Sequence, residues 1–271
     1  MDLQAVRATA TDIAQLAGAE LLRYFDQPHQ ETTKQNIVDI VTEGDRASEA
    51  VIVAALRQAF PDHHIVGEEG GGQGAPVGEA EYFWYVDPLD GTSNFASNIP
   101  LFTVSIAMTD RHKRPLVGVV FCPVYNELYS AVHGFGATLN GKPIHVSQKA
   151  ELQRAMLSTG FPYDKTKQPN NIREWERFLL RARGVLRLGS AALDLAWVAA
   201  GRLDGFWEPR LNPWDILAGL LLVEEAGGRV SDYAGTGVER AYEGLEVLAS
   251  NGQIHEQMLT VLGEQEKTPS Y

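Results

Sequence analysis

The stretch EYFWYVDPLDGTSNFASNIP, running from Glu81 to Pro100, decides how the rest of the chain is read. Tyr82 to Val86 is a β-like run of aromatic and β-branched residues. Pro88 lacks an amide hydrogen and is expected to end that strand at Asp87. Gly91 lets the backbone come close to whatever lies beside it. Asp87 and Asp90 then share one tight turn, on which their carboxylates can converge. Convergent carboxylates repel one another unless protonated or bound to a cation, and hard oxygen donors suit Mg2+ or Ca2+. Asp-Pro and Asp-Gly are also ordinary turn dipeptides. Taken alone, the stretch leaves a plain turn and a cation site both open.

The composition narrows what the chain can be. It has 271 residues, 44% hydrophobic and 21% charged, which is ample for a large core in one domain or in two that share an interface. The net charge of −12 gives no electrostatic reason to bind nucleic acid or an anionic membrane. A phosphate-bearing substrate would be repelled too, unless cations are gathered locally. Cys122 is the single cysteine, so no intramolecular disulfide forms, which fits a reducing compartment. Lying before Pro123 in an apolar run, it reads as a small buried hydrophobe. No apolar run reaches membrane-spanning length and no basic-then-apolar leader opens the chain, so a cytoplasmic protein is expected.

Upstream of the central stretch, Ile13, Ala17, Leu21 and Tyr24 recur at helical spacing and predict a helix over 3–25, ended by Pro28. Thr42-x-x-Asp45 is a capping box ahead of a second helix through Val51 and Leu56. His63 and His64 are adjacent on a strand and point to opposite faces, so they do not share a metal. Ile65 to Gly67 ends in Glu68 and Glu69, which alternation sends in different directions. The glycine-rich 70–78 reads as a surface loop; without a following Gly-Lys-Ser/Thr it is no phosphate loop.

Downstream, 102–106, 116–121 and 127–132 alternate as strands, and Asn140-Gly141 signals a hairpin. The first domain, 1–146, is therefore α+β with antiparallel pairing. The second, 147–271, alternates: strand 154–159, helix 171–183, strand 185–188, a helix opened by Gly189-Ser190-Ala191-Ala192, strand 203–208, and a helix from Pro213 to Gly227-Gly228. The N–H groups and small residues at 189–192 suit either an anion or close helix packing. Asp215, in the first turn of its helix, suits the helix dipole. No Ser/His or Cys/His catalytic arrangement is present.

WYVDPLDGTSNF resembles the first metal-binding motif of the inositol monophosphatase family, within the lithium-sensitive, Mg2+-dependent phosphatases. Trp214-Asp215-Ile216-Leu217-Ala218-Gly219, followed by Glu225-Ala226-Gly227-Gly228, resembles the second. The resemblance runs from about Asp2 to Leu262. It implies an α/β (α+β) fold, the layered αβαβα sandwich of the inositol monophosphatase/fructose-1,6-bisphosphatase type. It also implies two or three Mg2+ per site, held by Glu68, Asp87, the Leu89 carbonyl, Asp90 and Asp215. Thr92, oriented by Asp45, would work with Glu68 to take the proton of an attacking water, in line and without a covalent intermediate. The Gly91 and Thr92 N–H groups would hold phosphate oxygens beside Asp90. Gly189, Ser190, Ala191 and Glu208 would contact the substrate, and Lys34 would lie near the phosphate. Asp39 matches the family pattern without a derivable role. The resemblance further implies a homodimer and a small phosphate monoester as substrate, inositol phosphate first. Histidinol phosphate, fructose bisphosphate and phosphoadenosine phosphate are alternatives, and Arg187 and Arg210 would suit a second anionic group. A regulatory binding role is a reading of another class.

Overall fold

The computed structural model describes residues 1–27, 32–33, 40–162 and 166–264. Lys34, Asp39 and Pro28 lie outside them. The helices are α1 (Leu3–Tyr24), α2 (Glu43–Ala59), α3 (Thr92–Ala96), α4 (Ile172–Leu179), α5 (Ala191–Ala199), α6 (Pro213–Glu225), α7 (Glu239–Tyr242) and α8 (His255–Leu262). β1 (Thr32–Thr33) and β2 (Ile40–Val41) pair with each other. The large sheet joins β3 (His64–Gly67), β4 (Gly71–Gly74), β5 (Tyr82–Asp90), β6 (Thr103–Asp110), β7 (Pro115–Cys122), β8 (Glu127–Val132), β9 (Ala137–Leu139) and β10 (Lys142–Pro143). The small sheet joins β11 (Met156–Thr159), β12 (Gly184–Leu186), β13 (Gly205–Pro209), β14 (Arg229–Ser231) and β15 (Glu246–Ser250).

Strand order in the large sheet is β10-β9-β8-β7-β6-β5-β3-β4, antiparallel except where β3 meets β5. In the small sheet, β12-β11-β13-β15-β14, β11 runs parallel to both neighbours and the other pairs are antiparallel. Because side chains alternate across a strand, each sheet serves two cores. Trp84, Val86, Ile106 and Val119 pack outward against Ile13, Leu21 and Ile52 of α1 and α2. Tyr85, Ala107 and Val120 face inward against Leu195, Leu217 and Leu221 of α5 and α6. Phe206, Val247 and Ala249 close that middle layer from the small sheet. Trp207 and Leu248 face outward, onto Phe178 of α4 and Met258 of α8. The result is the expected αβαβα sandwich.

Several local expectations are corrected. β5 does not stop at Asp87. It continues to Asp90, with Asp87 opposite Ser105 and Asp90 opposite Thr103, so one extra residue bulges out between them. Pro88 is tolerated because a bulge leaves a residue without a ladder bond. The glycine-rich segment is not all loop: Gly71–Gly74 pairs with β3 as an edge strand, since backbone hydrogen bonds need no side chain. The predicted helix over 171–183 is shorter, ending at Leu179, and α1 ends at Tyr24, ahead of Pro28. Asn140 and Gly141 turn the hairpin with both φ positive, 49° and 75°.

Candidate active site

One cleft is lined by Glu68, Asp87, Leu89, Asp90, Gly91, Thr92, Gly189, Ser190, Ala191, Glu208 and Asp215, together with Asp194, Arg187 and Arg210. Except for Asp45, which lies behind Thr92, and Lys34, outside the described residues, the structure brings every expected site residue to this one place. The lining residues arrive from several elements, β13 with Glu208 among them. The bulge of β5 supplies Asp87, Leu89 and Asp90; the turn after β3 supplies Glu68; Gly91 opens α3 at a φ of 102°. Ser190 caps α5, and Asp215 sits in the first turn of α6.

Local hydrogen bonding explains why several of these residues had two readings in the sequence. Asp45 accepts the Thr42 N–H at 2.7 Å on one oxygen and the Thr92 hydroxyl at 3.0 Å on the other. It is both a helix cap and the orienting partner of Thr92, whose hydroxyl also lies 3.1 Å from the Leu89 carbonyl. Asp215 repeats the arrangement: one oxygen accepts the Asn212 N–H at 2.7 Å while the residue lines the cleft. Asp90 accepts from the Ser190 hydroxyl at 2.7 Å and the Ala192 N–H at 2.6 Å, at the start of α5. Asp87 accepts the Leu89 N–H at 2.9 Å. Asn94 holds the two halves of the cleft together by donating to Leu101 O and Leu188 O, each at 2.7 Å.

The electrostatics are those of an anionic cluster, with Arg187 and Arg210 also lining the cleft. Burial, then the charges of Glu68, Asp90 and Asp215, push the Asp87 carboxyl well above its ordinary range. Burial, then Glu68 and Asp90, does the same to Asp215. Asp90 rises to about 6, chiefly by burial, held down by its bonds to Ser190 and Ala192. Burial also raises Asp45. Among the described residues no three His, Cys, Asp or Glu side chains are gathered tightly enough to hold an ion as they stand. The donor set nevertheless fits one. It consists of carboxylates and a carbonyl, with no His or Cys along the cleft. Asp87, Asp90 and Asp215 each accept a backbone N–H, which fixes three carboxylates along one side of the cleft. A divalent ion relieves the repulsion that raises their pKa values.

One residue escaped the sequence reading. Asp194 is buried on α5 one turn below Ser190, lines the cleft, and has an Oδ1 without a hydrogen-bond partner. Burial raises its pKa well above the ordinary range. The signal was available: Asp194 is the one charged residue in the apolar run AALDLAWVAA, and a lone acid on a buried helix needs a reason. Glu208 is likewise buried, and burial followed by the charges of Asp194 and Asp90 raises its pKa. The structural readings elsewhere hold. His64 bonds the Ala75 carbonyl at 2.8 Å, His63 accepts from Trp84 at 3.0 Å, and Cys122 is buried, its thiol raised to about 11. Glu68 faces the cleft and Glu69 a groove on the other side, although both lie in a turn rather than a strand.

Residues 2–267 match the model of the inositol monophosphatase family. The chain belongs to that family. It is 42% identical over 262 residues to the inositol-1-monophosphatase of Synechocystis sp., covering 96% of this chain and 90% of that protein. It is 46% identical over 233 residues to the Nus factor SuhB of Pseudomonas aeruginosa, covering 83% of each. An inositol monophosphatase structure from Anabaena (Nostoc) sp. superposes with a TM-score of 0.88 at 41% identity, covering both chains completely. The fold and the phosphatase class of this family member therefore stand on sequence and structure alike. Among the described residues no helix is long and apolar enough to cross a membrane.

Proposed function

We propose that the protein is a Mg2+-dependent phosphomonoester hydrolase acting on inositol monophosphate. The observation that carries this reading is the convergence of Glu68, Asp87, Asp90 and Asp215 on one cleft beside an oriented Thr92. Glu68, Asp87 and the Leu89 carbonyl would hold one ion, and Asp87, Asp90 and Asp215 a second; a third, weaker one could still be recruited. Bound there, Mg2+ supplies charge compensation for the phosphoryl group and acidifies a coordinated water.

The chain's own groups do the rest. Asp45 keeps the Thr92 hydroxyl turned toward the cleft, and Thr92 with Glu68 takes the proton of the attacking water. The N–H groups of Gly91 and Thr92 hold phosphate oxygens as charge builds on them. Water attacks phosphorus in line, the ester P–O bond breaks, a second water in the cleft gives the leaving oxygen its proton, and the alcohol leaves toward Gly189, Ser190, Ala191 and Glu208. A raised pKa lets Glu208 donate to a polyol hydroxyl as well as accept from one. Arg187 and Arg210 at the cleft supply the local positive charge that a net charge of −12 makes necessary. As in the family pattern, we propose a homodimer.

Chelation should abolish phosphate release from inositol phosphate, Mg2+ should restore it, and lithium should inhibit the restored activity. Full activity in a chelator would reject the metal assignment. A second reading, a regulatory binding protein that keeps its catalytic set, is favoured by the 46% identity to a Nus factor SuhB. Rescue of a deletion strain by Asp90→Asn as well as by wild type would establish it, and rescue by wild type alone would dismiss it.

A further inference from the structure

We propose that Glu49 is a positioning residue for Glu68, one of three side chains by which α2 sets the spacing of the acidic cleft. Asp45, Ser48 and Glu49 stand at i, i+3 and i+4 on one face of α2. All three are buried, at 0%, 0% and 5% exposure. Each reaches a different arm of the site. Asp45 holds Thr92, and the Ser48 hydroxyl donates to the Pro88 carbonyl inside the β5 bulge at 2.8 Å. Glu49 accepts the Glu69 N–H on Oε2 at 2.9 Å and the Gly70 N–H on Oε1 at 2.5 Å.

Glu69 and Gly70 directly follow Glu68. On the other side, the Glu68 N–H donates to the Val86 carbonyl at 3.2 Å, one residue before Asp87. Glu68 is thus pinned to β5 by its own amide and to α2 by the next two. The backbone wraps the Glu49 carboxylate closely: a Cβ at Gly67 would stand 2.8 Å from Oε2, and one at Gly70 2.6 Å from Oε1. Two adjacent N–H donors call for two acceptor oxygens, which a carboxylate offers and an amide does not.

The proposal rests on Glu68 being a metal ligand, and the experiment separates the two claims. Mg2+ alone is titrated into the metal-free full chain by calorimetry, with melting temperature recorded, for wild type and for Glu49→Gln, Gly70→Ala, Glu68→Gln and Ile52→Val. Glu49→Gln should weaken Mg2+ binding by about tenfold or more, the scale of losses when the partners of ligands are changed. Gly70→Ala keeps the Glu49 charge while pushing the turn off the carboxylate, and should weaken binding to a similar degree; it also decides the matter alone should Glu49→Gln not fold. Ile52→Val, at a buried apolar position of the same helix, should lower the melting temperature and leave binding within about twofold. Binding by Gly70→Ala within about twofold of wild type overturns the positioning role, as does an equal loss in Ile52→Val. If Glu68→Gln binds like wild type, the ligand assignment itself fails and the positioning role falls with it.

Discussion

In the metal-free protein, Asp90→Asn should stabilise the fold at neutral pH while destroying activity. Two effects compete at Asp90. Burial and the Glu68 charge disfavour its ionised form; the Ser190 hydroxyl and the Ala192 N–H at the head of α5 favour it. Burial wins, and the carboxyl moves from an ordinary 3.8 to about 6. A folded-state pKa above the unfolded one means that the native state holds its proton longer. The contribution to stability is complete below the unfolded pKa and is lost as pH rises through about 6. Each unit is worth about 1.4 kcal/mol. The half-buried side chain retains some contact with water, so ionised Asp90 costs the metal-free fold at most ~3 kcal/mol. Asparagine carries no charge at any pH, and its carbonyl oxygen still accepts from the head of α5. The variant should melt close to wild type near pH 4 and progressively above it toward pH 8. At about 2–4 °C per kcal/mol for a chain of this size, the gain reaches ~6–12 °C at most. The assay is thermal unfolding followed by circular dichroism in chelator across that range. Adding Mg2+ should reverse the order, because the ion stabilises wild type selectively, and phosphate release by the variant should fall below about a tenth of wild type, a loss of more than ~1.4 kcal/mol in barrier terms. A metal-free variant that melts below wild type at pH 8 would refute the reasoning, since the α5 hydrogen bonds would then outweigh burial and Asp90 would not be a strained group awaiting a cation.

Glu208→Gln should lower kcat/KM for inositol phosphate more than for p-nitrophenyl phosphate, which offers no hydroxyls; equal losses would mean that Glu208 reads none. Gly118→Ala should cost roughly 1–3 kcal/mol in thermal or denaturant unfolding, because its Cβ would stand 2.8 Å from the Ala218 carbonyl oxygen and push α6, the helix that carries Asp215, off the sheet. An unchanged midpoint would show that the helix has room to move.

Much of this site was readable because its determinants are local. Thr42 and Asp45 are three residues apart, and that cap forms as spacing and residue type require; Asp215 sits in the first turn of its helix, as expected. Asn140-Gly141 turns its hairpin for the same reason. The misses share a different cause. Whether β5 ends at Pro88 depends on β6, whose Ser105 and Thr103 hold the register on either side of the bulge. Whether a run of glycines pairs depends on β3 being beside it. The duty of Glu49 depends on a turn 20 residues away, and nothing within α2 distinguishes it from a capping or solvent-facing acid. Asp194 was the exception, a local anomaly passed over because the small residues ahead of it drew the reading toward packing and anion binding.

The proposed metal cage would recognise only a phosphate, so the substrate proposal rests on the acids and arginines that share the cleft. In the proposed reading Asp194 and Glu208 would favour hydroxyls, whereas Arg187 and Arg210, which line the same cleft, would favour a second anion. The direct measurement is kcat/KM of the wild-type protein with Mg2+ on inositol 1-phosphate, fructose 1,6-bisphosphate, histidinol phosphate and phosphoadenosine phosphate, side by side. The account predicts that inositol 1-phosphate is hydrolysed with the highest kcat/KM of the four. A higher value for either doubly phosphorylated substrate would contradict it and hand the specificity to the two arginines.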